Sequence, residues 1–305
     1  MSFQPQRVRV LVNPRSGPGW SFDRLQRVFA RHWDRAGMEL TYQFTQSAAD
    51  GVAKARRAAE QGVEALIVVG GDGTVSTVGA ALLGTATALG VVPVGSGNGF
   101  ARHFEIPLTP ARAVAALAQA EPALIDVGVV NERPFLVTCS MAWDAAIVRS
   151  FERSPLRGII PYVFAGAYEL LGYVPQPIAA ELDSGETLRF DDALIFTIAN
   201  LTQYGGGAVI APQARPDDGQ LELVVARRQD VPQLVANVAR LFNGTIERVP
   251  GLVFRRFRSL RVQRAQAAAI QVDGELATAP AEVTVRVLPR ALRVLVPAGA
   301  TAAAG

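Results

Sequence analysis

Residues 65–83 read ALIVVGGDGTVSTVGAALL, and the fold is decided there. The run from Ala65 to Val69 is short, apolar and rich in β-branched residues, the pattern of a strand buried on both faces of a parallel sheet. Gly70, Gly71 and Gly73 then predict a sharp turn, because residues without a Cβ let other groups approach the backbone. Beyond Thr74, the apolar residues Val75, Val78, Leu82 and Leu83 recur at helical spacing. Such a turn presents amide N–H groups at a helix N-terminus, which suits phosphate. Asp72 breaks that pattern, since a carboxylate repels bare phosphate. It is expected to hold the loop, to act through a metal ion or to work on a proton. The glycines alone fit an ordinary strand-to-helix connection as well, so the surrounding chain has to decide.

Upstream, residues 8–12 predict a first strand, the segment from Asn13 to Gly19 a loop, and Phe22, Leu25, Val28, Phe29 and Trp33 a helix. Residues 40–44 predict a second strand, followed by a polar turn over 45–47 with helix-capping character and a helix over 48–61 that ends at Gly62. Downstream, residues 88–92 predict a fourth strand that enters Pro93-Val94-Gly95-Ser96-Gly97-Asn98-Gly99, with a short helical turn over 100–104. Strands alternating with helices argue for an open parallel sheet whose ligand site lies beyond the carboxyl ends of its strands. The loops at Asn13, Thr45, Gly70 and Gly95 all fall at that edge.

After a helix near 110–120 the texture changes. Strands are predicted over 124–130, 134–139, 178–182, 188–190, 193–199, 207–210, 221–226, 260–263, 269–272, 283–288 and 292–296. Two helices interrupt them, over 159–172 and 231–242, the second with Asp230 as N-cap and Pro232 in its first turn. Many short strands separated by turns suggest a sandwich or barrel. The expected organisation is an α/β domain over 1–128, a β-rich domain over 129–297 whose last strand is free to return to the first, and a flexible tail over 298–305.

The 305 residues are 50% hydrophobic, enough for substantial cores. The opening MSFQPQRVRV has no apolar signal core, and no run reaches the ~18 apolar residues of a membrane span, so a cytoplasmic protein is expected. Cys139 is the single cysteine, which excludes an internal disulfide and a cysteine zinc cluster. Its apolar surroundings predict a core thiol. Lys54 is the only lysine, and no G-x-x-x-x-G-K-[ST] exists, so a P-loop is excluded. Arginines cluster at Arg255, Arg256, Arg258, Arg261 and Arg264, and again at Arg149, Arg153 and Arg157. These read as a solvated face or as attraction to an anionic membrane, because no nucleic-acid module accompanies them. The stripe from Tyr162 to Tyr173 reads as core, or as a surface for acyl chains or the bilayer.

Four motifs carry a resemblance. Gly-Gly-Asp-Gly-Thr at 70–74, Pro-Val-Gly-Ser-Gly-Asn-Gly-Phe-Ala-Arg at 93–102, Asn-Pro-Arg-Ser-Gly at 13–17 and Val-Asp-Gly-Glu at 272–275 together resemble the soluble diacylglycerol kinase and sphingosine kinase family of lipid kinases. The glycine motif alone is also similar to that of NAD kinases and phosphofructokinases, and the other three narrow it. The resemblance implies a nucleotide domain, a β-rich lipid domain and an active site between them. Asn13 and Thr45 match ATP-contacting positions, Gly70, Gly71, Asp72, Gly73 and Thr74 match the phosphate loop, and Gly95, Ser96 and Asn98 fall in the second loop, Ser96 standing where threonine is usual. Asn98 is read either as a cap for the short helix or as a nucleotide contact. Asp72 and Asp126 match acidic positions around catalytic magnesium. Asp218 resembles the anchor of a second, structural magnesium, with carbonyls near Arg215 and Gln220. Asn98-Gly99-Phe100 and Ser140-Met141-Ala142-Trp143-Asp144 depart from the usual diacylglycerol-type motifs. The implied partner is a lipid substrate at the membrane surface, with peripheral membrane contact; a homodimer is allowed for and nucleic acid is not expected.

Phosphoryl transfer needs nucleotide charge neutralised, an acceptor oxygen placed in line and a proton removed from it. The glycine turns would offer backbone donors, with Mg2+ bridging the phosphates of ATP. Glu275 is the favoured proton acceptor, with Asp273 placing it or the metal, although an Asp-Gly hairpin alone also explains that pair. The expected activity is transfer of the γ-phosphate to a hydroxyl of a diacylglycerol- or sphingosine-type lipid. An NAD kinase-like enzyme and a catalytically silent nucleotide- or lipid-binding protein are the alternatives.

Overall fold

The computed structural model describes residues 3–17, 20–34, 36–143 and 173–299. The helix expected over 159–172, the arginines at 149, 153 and 157, Asp144 and most of the stripe from Tyr162 to Tyr173 lie outside the described residues, as do residues 300–305 of the tail. The chain forms two units, Met1–Ile125 with Arg290–Gly305, and Asp126–Pro289.

In the first unit the elements run β1 (Arg7–Val12), α1 (Phe22–Trp33), β2 (Glu39–Phe44), α2 (Ala48–Glu60), β3 (Ala65–Gly70), α3 (Asp72–Ala81), β4 (Ala88–Pro93), α4 (Gly99–His103) and α5 (Pro110–Leu117). The strand order is β2-β1-β3-β4, every pair parallel, with Val10 opposite both Tyr42 and Ile67 and Ile67 opposite Gly90. Every residue of β3 and β4 is buried, which is why both read as unbroken apolar runs. Residues 290–296 return to this sheet, with Val294 beside Leu89. Phe29 and Trp33 on α1 pack inward, and the Trp33 indole donates to the Val114 carbonyl of α5 at 3.0 Å. At the start of α2, Ser47 caps as its position predicts, its hydroxyl accepting from Asp50 N–H at 3.1 Å.

The second unit begins within β5 (Glu121–Val130) and continues through β6 (Arg133–Phe135), β7 (Thr138–Ser140), β8 (Ile178–Leu182), β9 (Thr187–Phe190), β10 (Ala193–Ala199), β11 (Gln203–Gly205), β12 (Ala208–Val209) and β13 (Leu221–Arg227). Next come α6 (Val231–Ala236), α7 (Val238–Phe242), β14 (Val253–Phe257), β15 (Ser259–Arg264), β16 (Ala268–Val272), β17 (Glu275–Ala279) and β18 (Glu282–Val296). One antiparallel sheet has the order β14-β13-β10-β7-β16-β17; β8 and β9 with β15 and the start of β18 build the other. Phe135, Phe190, Phe196, Phe257, Ile198 and Cys139 are among the buried side chains of its core, so the thiol is interior. This is an antiparallel β-sandwich.

Four local expectations differ. The strand expected over 134–139 is two, β6 and β7, which end up in different sheets because the chain between them crosses from one to the other. The strands expected over 283–288 and 292–296 are one strand, β18, which passes through Pro289 and a left-handed Arg290 (φ 51°) without ending. The helix expected over 231–242 divides at Asn237 (φ −113°) into α6 and α7, and the Asp230 carboxylate accepts from Arg227 N–H at 2.8 Å instead of capping α6. The segment Val253–Phe257, read only as a cluster of arginines, is a strand paired along its length with β13.

Candidate active site

Parallel pairing places the ends of β1, β2, β3 and β4 at one edge, where the chain continues into Asn13, Thr45, Gly71 and Val94. The order 2-1-3-4 puts the topological switch between β1 and β3, the position at which open α/β sheets bind ligands. Asn13 bridges it: its amide donates to the Thr74 hydroxyl at 2.8 Å, its side-chain oxygen accepts from Arg15 N–H, and its backbone N–H donates to Val69 O. Thr45 is buried at the end of β2, its N–H bonded to Val12 O.

The two glycine loops touch backbone to backbone. A Cβ on Gly95 would stand 2.7 Å from the Gly71 Cα and force the loops apart, and one on Gly71 would stand a tight 3.2 Å from the Gly95 Cα. Asn98 is the N-cap residue of α4 by position, but its side chain makes no cap hydrogen bond. Its backbone is left-handed (φ 53°), and its amide brackets Gly95, accepting from Gly95 N–H at 3.1 Å and donating to Gly95 O at 2.7 Å. Ser96 is exposed on the same loop. Asp72 is the first residue of α3, and its carboxylate accepts from Phe100 N–H at 3.4 Å, tying the first loop to the start of α4. With Gly70, Gly73 and Thr74, the arrangement is two glycine turns meeting at the N-terminus of α3, with one carboxylate beside them, a geometry that suits phosphate.

His103 on α4 is buried against Phe104, and burial pushes its pKa down to about 4. The folded state therefore binds fewer protons than the unfolded one between about pH 6.5 and 4, and stability is present above that window and lost as pH falls through it. The loss should approach ~3 kcal/mol at acid pH. A pH series of thermal melts on His103→Gln should have a flatter slope in that window; an unchanged slope would sink the assignment.

In the second unit, the candidate aspartates each hold a turn. Asp126 is fully buried on β5; its carboxylate accepts from Gly219 N–H at 2.6 Å and its own N–H donates to Pro216 O. Asp218, in the same turn, accepts from Gln220 N–H at 3.0 Å and pairs with the guanidinium of Arg256 on β14. Arg256 thus supplies a positive charge where the resemblance implies a structural magnesium near Arg215 and Gln220, and the Asp218 carboxylate does not fit that ion while so paired. Asp273 is left-handed (φ 49°) and buried at the β16–β17 turn. Its carboxylate accepts from Leu136, Val137 and Thr138 N–H at 2.7, 2.8 and 3.1 Å. Glu275 opens β17, half exposed, paired with Arg133 at 2.8 Å.

Sequence reasoning passed over Glu222. It lies opposite Arg256 on β13, buried, and burial first and then the nearby Glu247 push its pKa up to about 7. Only its place in an otherwise apolar strand marked it.

The chain thus combines a parallel α/β unit with an antiparallel β-sandwich unit. A family model described as the diacylglycerol kinase catalytic domain matches residues 7–130, and one described as the YegS C-terminal NAD kinase beta sandwich-like domain matches residues 137–296. A Chromohalobacter salexigens protein named as a YegS-like lipid kinase is 33% identical over 218 residues, covering 68% of this chain and 69% of that one. A diacylglycerol kinase of Mycobacterium tuberculosis is 29% identical over 299 residues, covering 95% of each. The crystal structure of a diacylglycerol kinase from Bacillus anthracis superposes with a TM-score of 0.75 at 18% identity, covering 98% of this chain and 100% of that one, a likeness of fold. The chain belongs to the diacylglycerol kinase and YegS-like family, and it is a lipid kinase. No helix among the described residues is long and apolar enough to cross a membrane.

Proposed function

We propose that the protein transfers the γ-phosphate of ATP, with magnesium, to a hydroxyl of a diacylglycerol- or sphingosine-type lipid. The observation that carries this reading is the contact of the two glycine loops at Gly71 and Gly95, beside the carboxylate of Asp72. A Cβ at either glycine would meet the other loop's backbone, so the glycines let the two loops come together at the N-terminus of α3, where backbone N–H groups suit phosphate. Asp72 offers a carboxylate oxygen there, the ligand type that a hard cation takes. Asp72 would hold the magnesium, and the bound ion supplies neutralisation of the phosphate charge. Asn13 and Asn98 hold the loops in shape through Thr74 and Gly95, with Thr45 and Ser96 at the same edge as further nucleotide contacts. Asp126 shapes the turn over 216–219 through Gly219.

Glu275 is the proton acceptor in this reading. Its carboxylate is half exposed and held by one flexible ion pair, whereas both oxygens of Asp273 are occupied by backbone amides. Asp273 is then a positioning residue for the turn that carries Glu275. Loss of a general base costs ~10²–10⁴-fold in rate. Glu275→Gln should lower kcat by about that factor with little change in the KM for ATP, and an unaltered kcat would remove the assignment.

The test is transfer of labelled γ-phosphate from ATP, with magnesium, to separate samples of diacylglycerol, monoacylglycerol, sphingosine, ceramide and NAD. Label in one lipid supports the reading and names the substrate. Label in NAD alone overturns it.

A further inference from the structure

The helical stretch of α6 and α7 carries an apolar stripe on its solvent side. Val235 is 69% exposed, Val238 55% and Phe242 47%, three of the six large hydrophobic side chains exposed among the described residues. Their spacing of three and four residues aligns them on one side of a helical path. The path continues through Asn237, whose N–H donates to Gln233 O. Leu241, next to Val238 around the helix, turns inward: it packs with Phe254 and Tyr204 against Ala211 and Val224 of the cluster beneath. Neither helix contains a buried residue, and between residues 231 and 243 the only charged side chain is Arg240.

The charge beside the stripe is mostly basic: Arg228 just precedes α6, Arg240 lies on α7 and Arg248 follows it. Residues 227–261 contain eight arginines against the acids Asp230 and Glu247, although Arg255, Arg256 and Arg261 pair with Glu186, Asp218 and Glu282. Asp230 is buried and spent on Arg227 N–H, and Glu247 lies beside Arg248. An apolar helix side bordered by arginines matches an anionic bilayer, whose surface potential attracts the guanidinium groups while the apolar residues enter the headgroup boundary. A second copy of the chain fits less well. The stripe offers on the order of 300 Å², against the ~800 Å² per partner of a stable interface.

We propose that the outer side of α6 and α7, through Val235, Val238 and Phe242, docks the protein on an anionic membrane surface. The proposal rests on exposure and charge, not on the identity of the phosphorylated lipid.

The test is sedimentation with vesicles of phosphatidylcholine alone or mixed with phosphatidylglycerol, using the wild type and Val235→Gln/Val238→Gln/Phe242→Gln. The wild type should bind the anionic vesicles, and 0.5 M salt should weaken that binding, because screening shortens the reach of the arginines. The triple variant should bind at least tenfold more weakly, melt at the wild-type temperature, and phosphorylate a short-chain, dispersed lipid at the wild-type rate. If no lipid is phosphorylated by either protein, the vesicle result still decides docking alone. Equal binding of variant and wild type, or no wild-type binding to either vesicle, would overturn the proposal. So would a lowered melting temperature, meaning the stripe packs against the chain itself, or a wild-type dimer that the variant dissolves.

Discussion

Asp72→Ala is expected to lower phosphate transfer by about 10²–10³-fold, the range for removing one preorganised electrostatic group from a reacting centre. The fold should survive the change. Asp72 is only partly buried, and its hydrogen bond to Phe100 N–H is long, at 3.4 Å. Asp72→Asn separates two roles, because the amide oxygen can still accept from Phe100 N–H while the charge is gone. If charge toward magnesium matters, asparagine should be nearly as damaging as alanine in kcat, with the requirement for magnesium shifted to higher concentration. Full activity in the asparagine variant would reduce Asp72 to a loop tie. Full activity in the alanine variant would remove it from the mechanism.

The second large effect is on stability. Asp273→Ala should cost roughly 3–5 kcal/mol in denaturant unfolding, since it strands three buried N–H groups at ~1–3 kcal/mol each, moderated by relaxation. Against a total stability of ~5–15 kcal/mol, such a loss should shift the midpoint strongly. The amides belong to Leu136, Val137 and Thr138, and the Asp273 N–H donates back to Thr138 O, so the residue binds the β16–β17 turn to the chain between β6 and β7. Asp273→Asn keeps one accepting oxygen and should lose less. A midpoint unchanged by alanine would mean the three bonds carry no net stability. Activity in the asparagine variant should fall in kcat more than in KM, as expected when the turn that carries Glu275 loosens; a KM effect alone would place Asp273 in substrate binding.

Some of this was readable before any coordinates. The strands of the first unit are short apolar runs with glycine or polar turns at their ends, and helical repeats lie between them. Right-handed crossovers leave one way to assemble such units, so the loops at Asn13, Thr45, Gly70 and Gly95 had to share an edge. The motifs in those loops also carried the family. The arginine run was harder to read. Arg255, Arg256 and Arg258 look like a charged surface, yet Val253–Phe257 is a strand, because the backbone of β13 offered a partner. Asn98 stands at the N-cap of α4 as one reading of the sequence had it, yet its amide brackets Gly95 instead of capping, because the left-handed turn points it back into the loop.

The sequence by itself determined the parallel α/β unit, the β-rich character of the second unit and the glycine turns, since each depends on periodicity and backbone permissiveness within a few residues. Only the tertiary structure decided the partners of the carboxylates. Asp273 meets amides 135 to 137 positions away, Asp218 meets Arg256, and Asp126 meets Gly219. It also decided that Val235, Val238 and Phe242 face solvent while Leu241 faces the sheet. Hydrogen-bond partners and exposure depend on strand register and on what packs on top, and these are set by residues remote in the chain.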